Sequence, residues 1–228
     1  MKKRSSWQVW FGIALVVLAV AVVPALAHRP YFEEKDIAAD NPWQIDDPTI
    51  STAIYATLDS PADVDYFAFD GRKGQAILLS LTIPQIAGQE LFAPDMALLG
   101  PGLPSGDLPA QVSSPAGSGA LTIPALTGPA KTFYEPFSRT SYWERQEQTV
   151  TLPVDGRYVV AVWHPQNQVG RYTFVIGTKE RLGGDLAFGR KLRSYWTPVP
   201  TPAPASDSPA AAQPAPARRH GCLWGLLP

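Results

Sequence analysis

Asp63 and Asp65, two residues apart in the run Asp63-Val64-Asp65-Tyr66-Phe67, are the side chains of this 228-residue chain best spaced to share one ligand. On a strand, residues two apart point the same way, so the pair would bring two carboxylates to one place. Calcium takes six to eight hard oxygens, and loops carrying several carboxylates supply them. Asp46, Asp47 and Asp70 stand near in sequence and widen the acidic set. The plainer reading is that Asp63 ends a turn and Asp65 flanks a strand, both solvated, since no contiguous D-x-D-x-D-G loop is present.

His28 offers a different chemistry. A signal segment cut after Ala27 would leave His28 at the new N-terminus. Its α-amino group and imidazole could then chelate copper, with His164 as second imidazole and Glu33 as a carboxylate donor. The alternative is that His28 merely follows the cut and His164-Pro165 merely turns the chain. A third group is aromatic: Phe133, Tyr134, Phe137, Tyr142 and Trp143, with Arg139 and Glu144 among them. Exposed, such rings stack on sugars or meet a protein partner; buried, they cap a core.

Enzyme chemistry finds little purchase. G-x-S-x-G, H-E-x-x-H and P-loop patterns are absent. With three histidines, a Ser-His-Asp arrangement would have to use His164. No catalysis is expected, with a hydrolase of unrecognised site as the remaining alternative, and no organic cofactor. The lone Cys222 rules out an intramolecular disulfide, so a core must hold the fold by itself.

The elements that would position these groups read as short strands. Hydrophobic residues make up 45% of the chain and charged ones 17%, with 24 prolines and 18 glycines, which suits a loop-rich β domain better than a helical bundle. Residues 156–177 (GRYVVAVWHPQNQVGRYTFVIG) form the densest β signal: two aromatic-rich runs, 158–163 and 172–176, join through a polar connection and read as a β-hairpin. Further strands are expected over 49–58, 66–69, 74–83 (stopped by Pro84), 95–99, 121–126, 131–137 and 149–152. The Gly/Pro-rich stretch 100–120 reads as a long surface loop, 28–48 as an extended lead-in with at most a short strand, and 178–196 as a lid with a short helix. Arg190, Lys191 and Arg193 beside Tyr195 and Trp196 make a basic–aromatic patch, solvated or in contact with anionic lipid.

The ends address the chain outside the cytoplasm. Lys2-Lys3-Arg4, the apolar stretch 10–23 and Ala25-Leu26-Ala27 compose a secretion signal over 1–27; an uncleaved anchor is the alternative, because 7–27 nearly reaches the ~20 residues a spanning helix needs. Residues 197–217 are Pro-, Ala- and Ser-rich, a semi-rigid spacer, and the tail to 228 carries Cys222. Without Lys2, Lys3 and Arg4, 16 basic residues face 20 acidic ones, a balance of −4 that argues against nucleic acid. Membrane contact is expected only through the signal segment or the tail.

The order Asp63-Val64-Asp65-Tyr66-Phe67-Ala68-Phe69, Gly74-Gln75 with an apolar strand, then Gly156-Arg157-Tyr158-Val159-Val160 and Gly170-Arg171-Tyr172-Thr173-Phe174 resembles the bacterial pre-peptidase C-terminal domain over about residues 49–177. The resemblance implies a jelly-roll or Greek-key β-sandwich, a non-catalytic accessory or binding module of exported proteins, in some members with bound calcium. The insert at 100–120 and the stretch 135–143 depart from that pattern, and no peptidase domain accompanies it. The expected architecture is therefore a signal peptide (1–27), a lead-in (28–48), a β-sandwich with a C-terminal lid (49–196), and a spacer with tail (197–228). The expected role is binding or structural support at the cell surface or in the medium, toward a carbohydrate or surface protein; the alternative is a calcium- or copper-binding extracytoplasmic protein.

Overall fold

Side-chain alternation along each strand explains how this chain stacks two sheets. In the computed structural model, which describes residues 28–126, 128–136 and 138–199, the strands in chain order are β1 (Arg29–Phe32), β2 (Trp43–Ile45), β3 (Thr52–Leu58), β4 (Val64–Gly71), β5 (Ala76–Pro84), β6 (Asp95–Gly100), β7 (Gly119–Ile123), β8 (Lys131–Glu135), β9 (Thr140–Thr151), β10 (Gly156–Trp163) and β11 (Gly170–Ile176). One helix, α1 (Phe188–Tyr195), follows them. The first sheet runs β1-β3-β11-β5-β9-β8 and the second β2-β4-β10-β6-β7. From β3 to β6 the chain changes sheet at every step, so these consecutive strands face one another across the core and do not pair. The expected signal segment and the tail beyond Val199 lie outside the described residues. No helix among the described residues is long and apolar enough to cross a membrane.

Odd positions of β4 (Phe67, Phe69) and even positions of β10 (Tyr158, Val160, Val162) point between the sheets, where they meet Tyr172, Phe174 and Ile176 of β11. The opposite faces are covered too. On the second sheet, Val64, Tyr66, Ala68, Val159, Ala161 and Trp163 form their own cluster with Val112. On the first, Phe32, Ala53 and Tyr55 pack against Leu192 and Tyr195 of α1.

These outer layers explain where the expectations fail. Residues 156–177 are not a hairpin: β10 lies between β4 and β6, while β11 lies between β3 and β5 in the other sheet. The connection 164–169 is an arch from sheet to sheet. The signal was there, because every residue from Tyr158 to Trp163 is buried, and a run apolar on both faces belongs to a central, doubly covered strand. The loop 101–118 is likewise no free surface loop, since it buries Val112 and its Ser113 N–H bonds the Tyr66 hydroxyl at 2.7 Å.

Residues 28–48 contribute two strands, not at most one: β1 and β2 pair in parallel with β3 and β4 at one edge of each sheet. β9 is the largest departure, since the strand expected over 149–152 starts at Thr140. Its polar Glu144-Arg145-Gln146-Glu147-Gln148 run hides it. The pairing with β5 skips Arg145, an extra residue opposite the Leu81/Thr82 step. Such a bulge re-aims a side chain. Buried Arg145 donates from Nε to the Phe92 carbonyl (2.9 Å) and from Nη2 to that of Glu90 (2.6 Å), tying down the loop before β6.

Candidate functional site

The acidic site assembles where the lead-in crosses the open end of the sandwich. Glu33 follows β1 directly; its N–H donates to the Tyr55 carbonyl at 2.9 Å and its Oε2 accepts the Thr57 N–H at 2.8 Å. Four residues on, Ile37 inserts into the main core, and its carbonyl accepts the Tyr66 N–H at 2.8 Å. That anchor sets Asp36 beside Asp65 of β4. Asp65 occupies an inward position like Phe67 and Phe69, and is 0% exposed. Tyr172, from the facing sheet, donates its hydroxyl to Asp65 Oδ2; Asp65 Oδ1 is buried with no hydrogen-bond partner among the described residues.

Glu33, Asp36 and Asp65 each offer one carboxylate oxygen, all within 4.8 Å of one another. Oxygens on opposite sides of one calcium ion, each at 2.3–2.6 Å, stand about that far apart. The donor set is all oxygen, which suits calcium and not the softer copper or zinc. Three carboxylates fall short of a calcium shell, so water and backbone oxygens must complete it. Burial, then the neighbouring Glu33 charge, holds Asp65 well above the usual carboxylate range. Burial together with Asp63, Asp36 and Asp59 raises Glu33 to about 7, against the pull of the Thr57 N–H. Like charges packed this closely need a proton or a cation between them.

The pH dependence follows from that crowding. A raised carboxyl pKa means the native state binds its proton more tightly than the unfolded chain. The contribution is complete below the unfolded value near 4.5 and is lost as pH rises through about 7. Chemical denaturation in calcium-free buffer is thus expected to give a less stable protein at pH 8 than at pH 5. A profile flat across that interval would contradict a crowded site.

The other sequence candidates are distributed differently. Asp63 sits just before β4, half-buried, with Oδ2 accepting the Asp59 N–H at 2.8 Å; it adds negative field to the site. Asp47 caps Thr49 through both its N–H and its hydroxyl, while Asp46 and Asp70 are exposed. His28 stands at the start of β1 with Nδ1 bonded to the Ser51 hydroxyl at 2.5 Å. His164 is buried at the end of β10, stacked on Phe92 at 5.0 Å, and Nδ1 accepts the N–H groups of Gln166 and Gln168. Burial lowers it to about 4, so it is a neutral cap on the sheet-to-sheet arch. The structure does not bring His28, His164 and Glu33 into one cluster.

The aromatic set divides. Tyr134, on edge strand β8, is 54% exposed, while Tyr142 is buried and bonded to the Tyr55 hydroxyl at 3.2 Å. Trp143 is half-buried against the main core, and Phe137 lies outside the described residues. Phe133 remains exposed beside Tyr134.

Asp36 was missed by the sequence reading. Its signal was the acidic run Glu33-Glu34-Lys35-Asp36, which lies 29 residues before Asp65 and gains meaning only once β1 is placed.

No protein-family model matches the chain, and no curated protein sequence does. Solved structures with a similar sandwich are known. The periplasmic inhibitor of g-type lysozyme from Aeromonas hydrophila is 10% identical, covering 66% of this chain and 96% of its own, with a TM-score of 0.32. The pre-peptidase C-terminal domain of Bacillus anthracis collagenase is 12% identical over 59% and 93%, also at 0.32. The surface-associated copper-binding protein CorA of Methylomicrobium album BG8 is 10% identical over 68% and 98%, again at 0.32. Likeness this distant carries nothing about ligand or activity.

Proposed function

We propose that this chain is an exported, non-catalytic binding module whose sandwich holds calcium through Glu33, Asp36 and Asp65. The observation that carries this reading is Asp65: a fully buried carboxylate, with one oxygen unpartnered, facing two more carboxylates. Leaving such a group unpaired costs several kcal/mol, and a hard divalent cation removes the cost. Asp65 and Glu33 come from different layers of the sequence, so the ion would clamp the lead-in to β4. Its role is structural cohesion of the module outside the cell, where calcium is plentiful; no reaction is assigned to it.

Calorimetric titration tests this on the chain from His28 onward, stripped with EGTA. A single calcium site with a dissociation constant of about 10⁻⁵–10⁻³ M is expected, weaker for magnesium, which tolerates irregular geometry poorly, and lost in Asp65→Asn. Absence of binding heat at millimolar calcium would leave a shared proton as the only balance for the carboxyls and retire the calcium reading.

A further inference from the structure

We infer that the loop between β11 and α1, with the outward face of α1, is a docking surface for an anionic bilayer. Leu182 is 72% and Leu186 106% exposed, so two largely solvent-exposed apolar side chains stand within five residues. The backbone that carries them is held. Asp185 N–H donates to the Pro30 carbonyl at 2.7 Å, and Gly183 and Gly184 lie against Arg29 and Pro30 so closely that a Cβ would stand 2.8 and 2.5 Å from them. Both glycines also adopt positive φ, 145° and 104°. The leucines are thus displayed by a built turn.

Charge on this face suits a phosphate-rich surface. Lys191 bridges Asp185 and Glu34, so the three groups together keep one negative charge. Leu192 and Tyr195 turn inward, while Arg190 and Arg193, three apart on one helix face, are exposed with Arg181 nearby in the chain. The acidic members are Glu180 and Glu135, which act on His28, and Asp47, which feels Lys179 and Arg181. Leucines to enter the acyl boundary and arginines at its rim are the composition of an interfacial contact.

Continuity of the chain names the occupant. His28 and Leu186 line one cavity of about 620 Å³ with Phe188, Leu192 and Arg193. The residues that immediately precede His28 are the apolar stretch 10–23 and its flank. Read as the secretion signal or anchor expected from its composition, that stretch would bring the polypeptide to the membrane on the face that bears the exposed leucines. One weak apolar contact gives marginal membrane binding, and stable association takes a second signal; an arginine rim supplies it.

The test uses the chain from His28, which retains all three apolar clusters, with sedimentation on phosphatidylcholine vesicles containing or lacking phosphatidylglycerol. Binding to the anionic vesicles at low salt is expected. Leu182→Glu with Leu186→Glu should weaken it about tenfold or more, and Arg190→Ala with Arg193→Ala about tenfold, leaving only a salt-insensitive remainder. Leu91→Glu, at an equally exposed leucine elsewhere (85%), should bind as the parent does. Circular dichroism melting of each variant controls for folding. Equal sedimentation with and without phosphatidylglycerol, or an equal loss in Leu91→Glu, would overturn the proposal.

Discussion

Calcium restored to the stripped chain at about a hundredfold excess over its dissociation constant is expected to raise the unfolding midpoint at neutral pH by about 5–10 °C. Ligand linkage at that excess is worth about 2.7 kcal/mol, and a domain of this size gains about 2–4 °C per kcal/mol. The Asp65→Asn variant separates the ion from any general salt effect, because it should raise the calcium-free midpoint and abolish the calcium response. Without calcium it should melt higher than the parent. The amide still accepts the Tyr172 hydroxyl and brings no charge to be repelled by Glu33 and Asp36. With calcium, it should gain almost nothing. Differential scanning calorimetry of both proteins in EGTA and in calcium reads all four values. A parent protein indifferent to EGTA, or a variant that still responds to calcium, would remove Asp65 as a ligand.

Truncating Phe174 to alanine is expected to lower the midpoint by about 10 °C. Phe174 of β11 and Phe67 of β4 are both fully buried and come from opposite sheets, their rings stacked at 4.5 Å. Removing a buried Phe costs about 3–5 kcal/mol, since the transfer loss is joined by a cavity that a packed core closes only partly. The pair also tests the layer arrangement. Phe67→Ala and Phe174→Ala combined should destabilise by less than the sum of the two, with coupling of about 0.5–1.5 kcal/mol from the lost ring contact. Strictly additive losses in urea denaturation would mean that the sheets do not meet there.

Much of this molecule is readable from local chemistry. Period two along β4 puts Asp65 on the same strand face as Phe67 and Phe69, although the sequence reading left Asp65 solvated and did not turn that face inward. The short apolar strands 95–99 and 172–176 sit almost where composition puts them. Polar strands were harder. In β9 the polar run has two causes: Glu147 and Gln148 are exposed past the end of the β8 pairing, while Arg145 and Gln146 are buried and bonded to carbonyls of distant segments. β1 and β2 are too short to show a period; long-range pairing alone makes them strands. The aromatic stretch 133–143 shows the same limit, since Tyr134 and Tyr142 look alike in sequence and end up on opposite sides of the burial divide.

Strand content, turn chemistry and the pairing of Asp65 with core aromatics on one strand face were thus written locally, because side-chain direction on a strand is set by the backbone of that strand alone. Which sheet each strand joins was decided only by the tertiary structure: β10 and β11 are adjacent in sequence yet divided between layers, since both their faces needed covering and only central places in two sheets cover them. The carboxylate site was decided at the same level. Glu33 and Asp36 reach Asp65 because β1 docks on β3 and Ile37 fills the core, a meeting that depends on packing between distant segments and leaves no periodic trace in the chain.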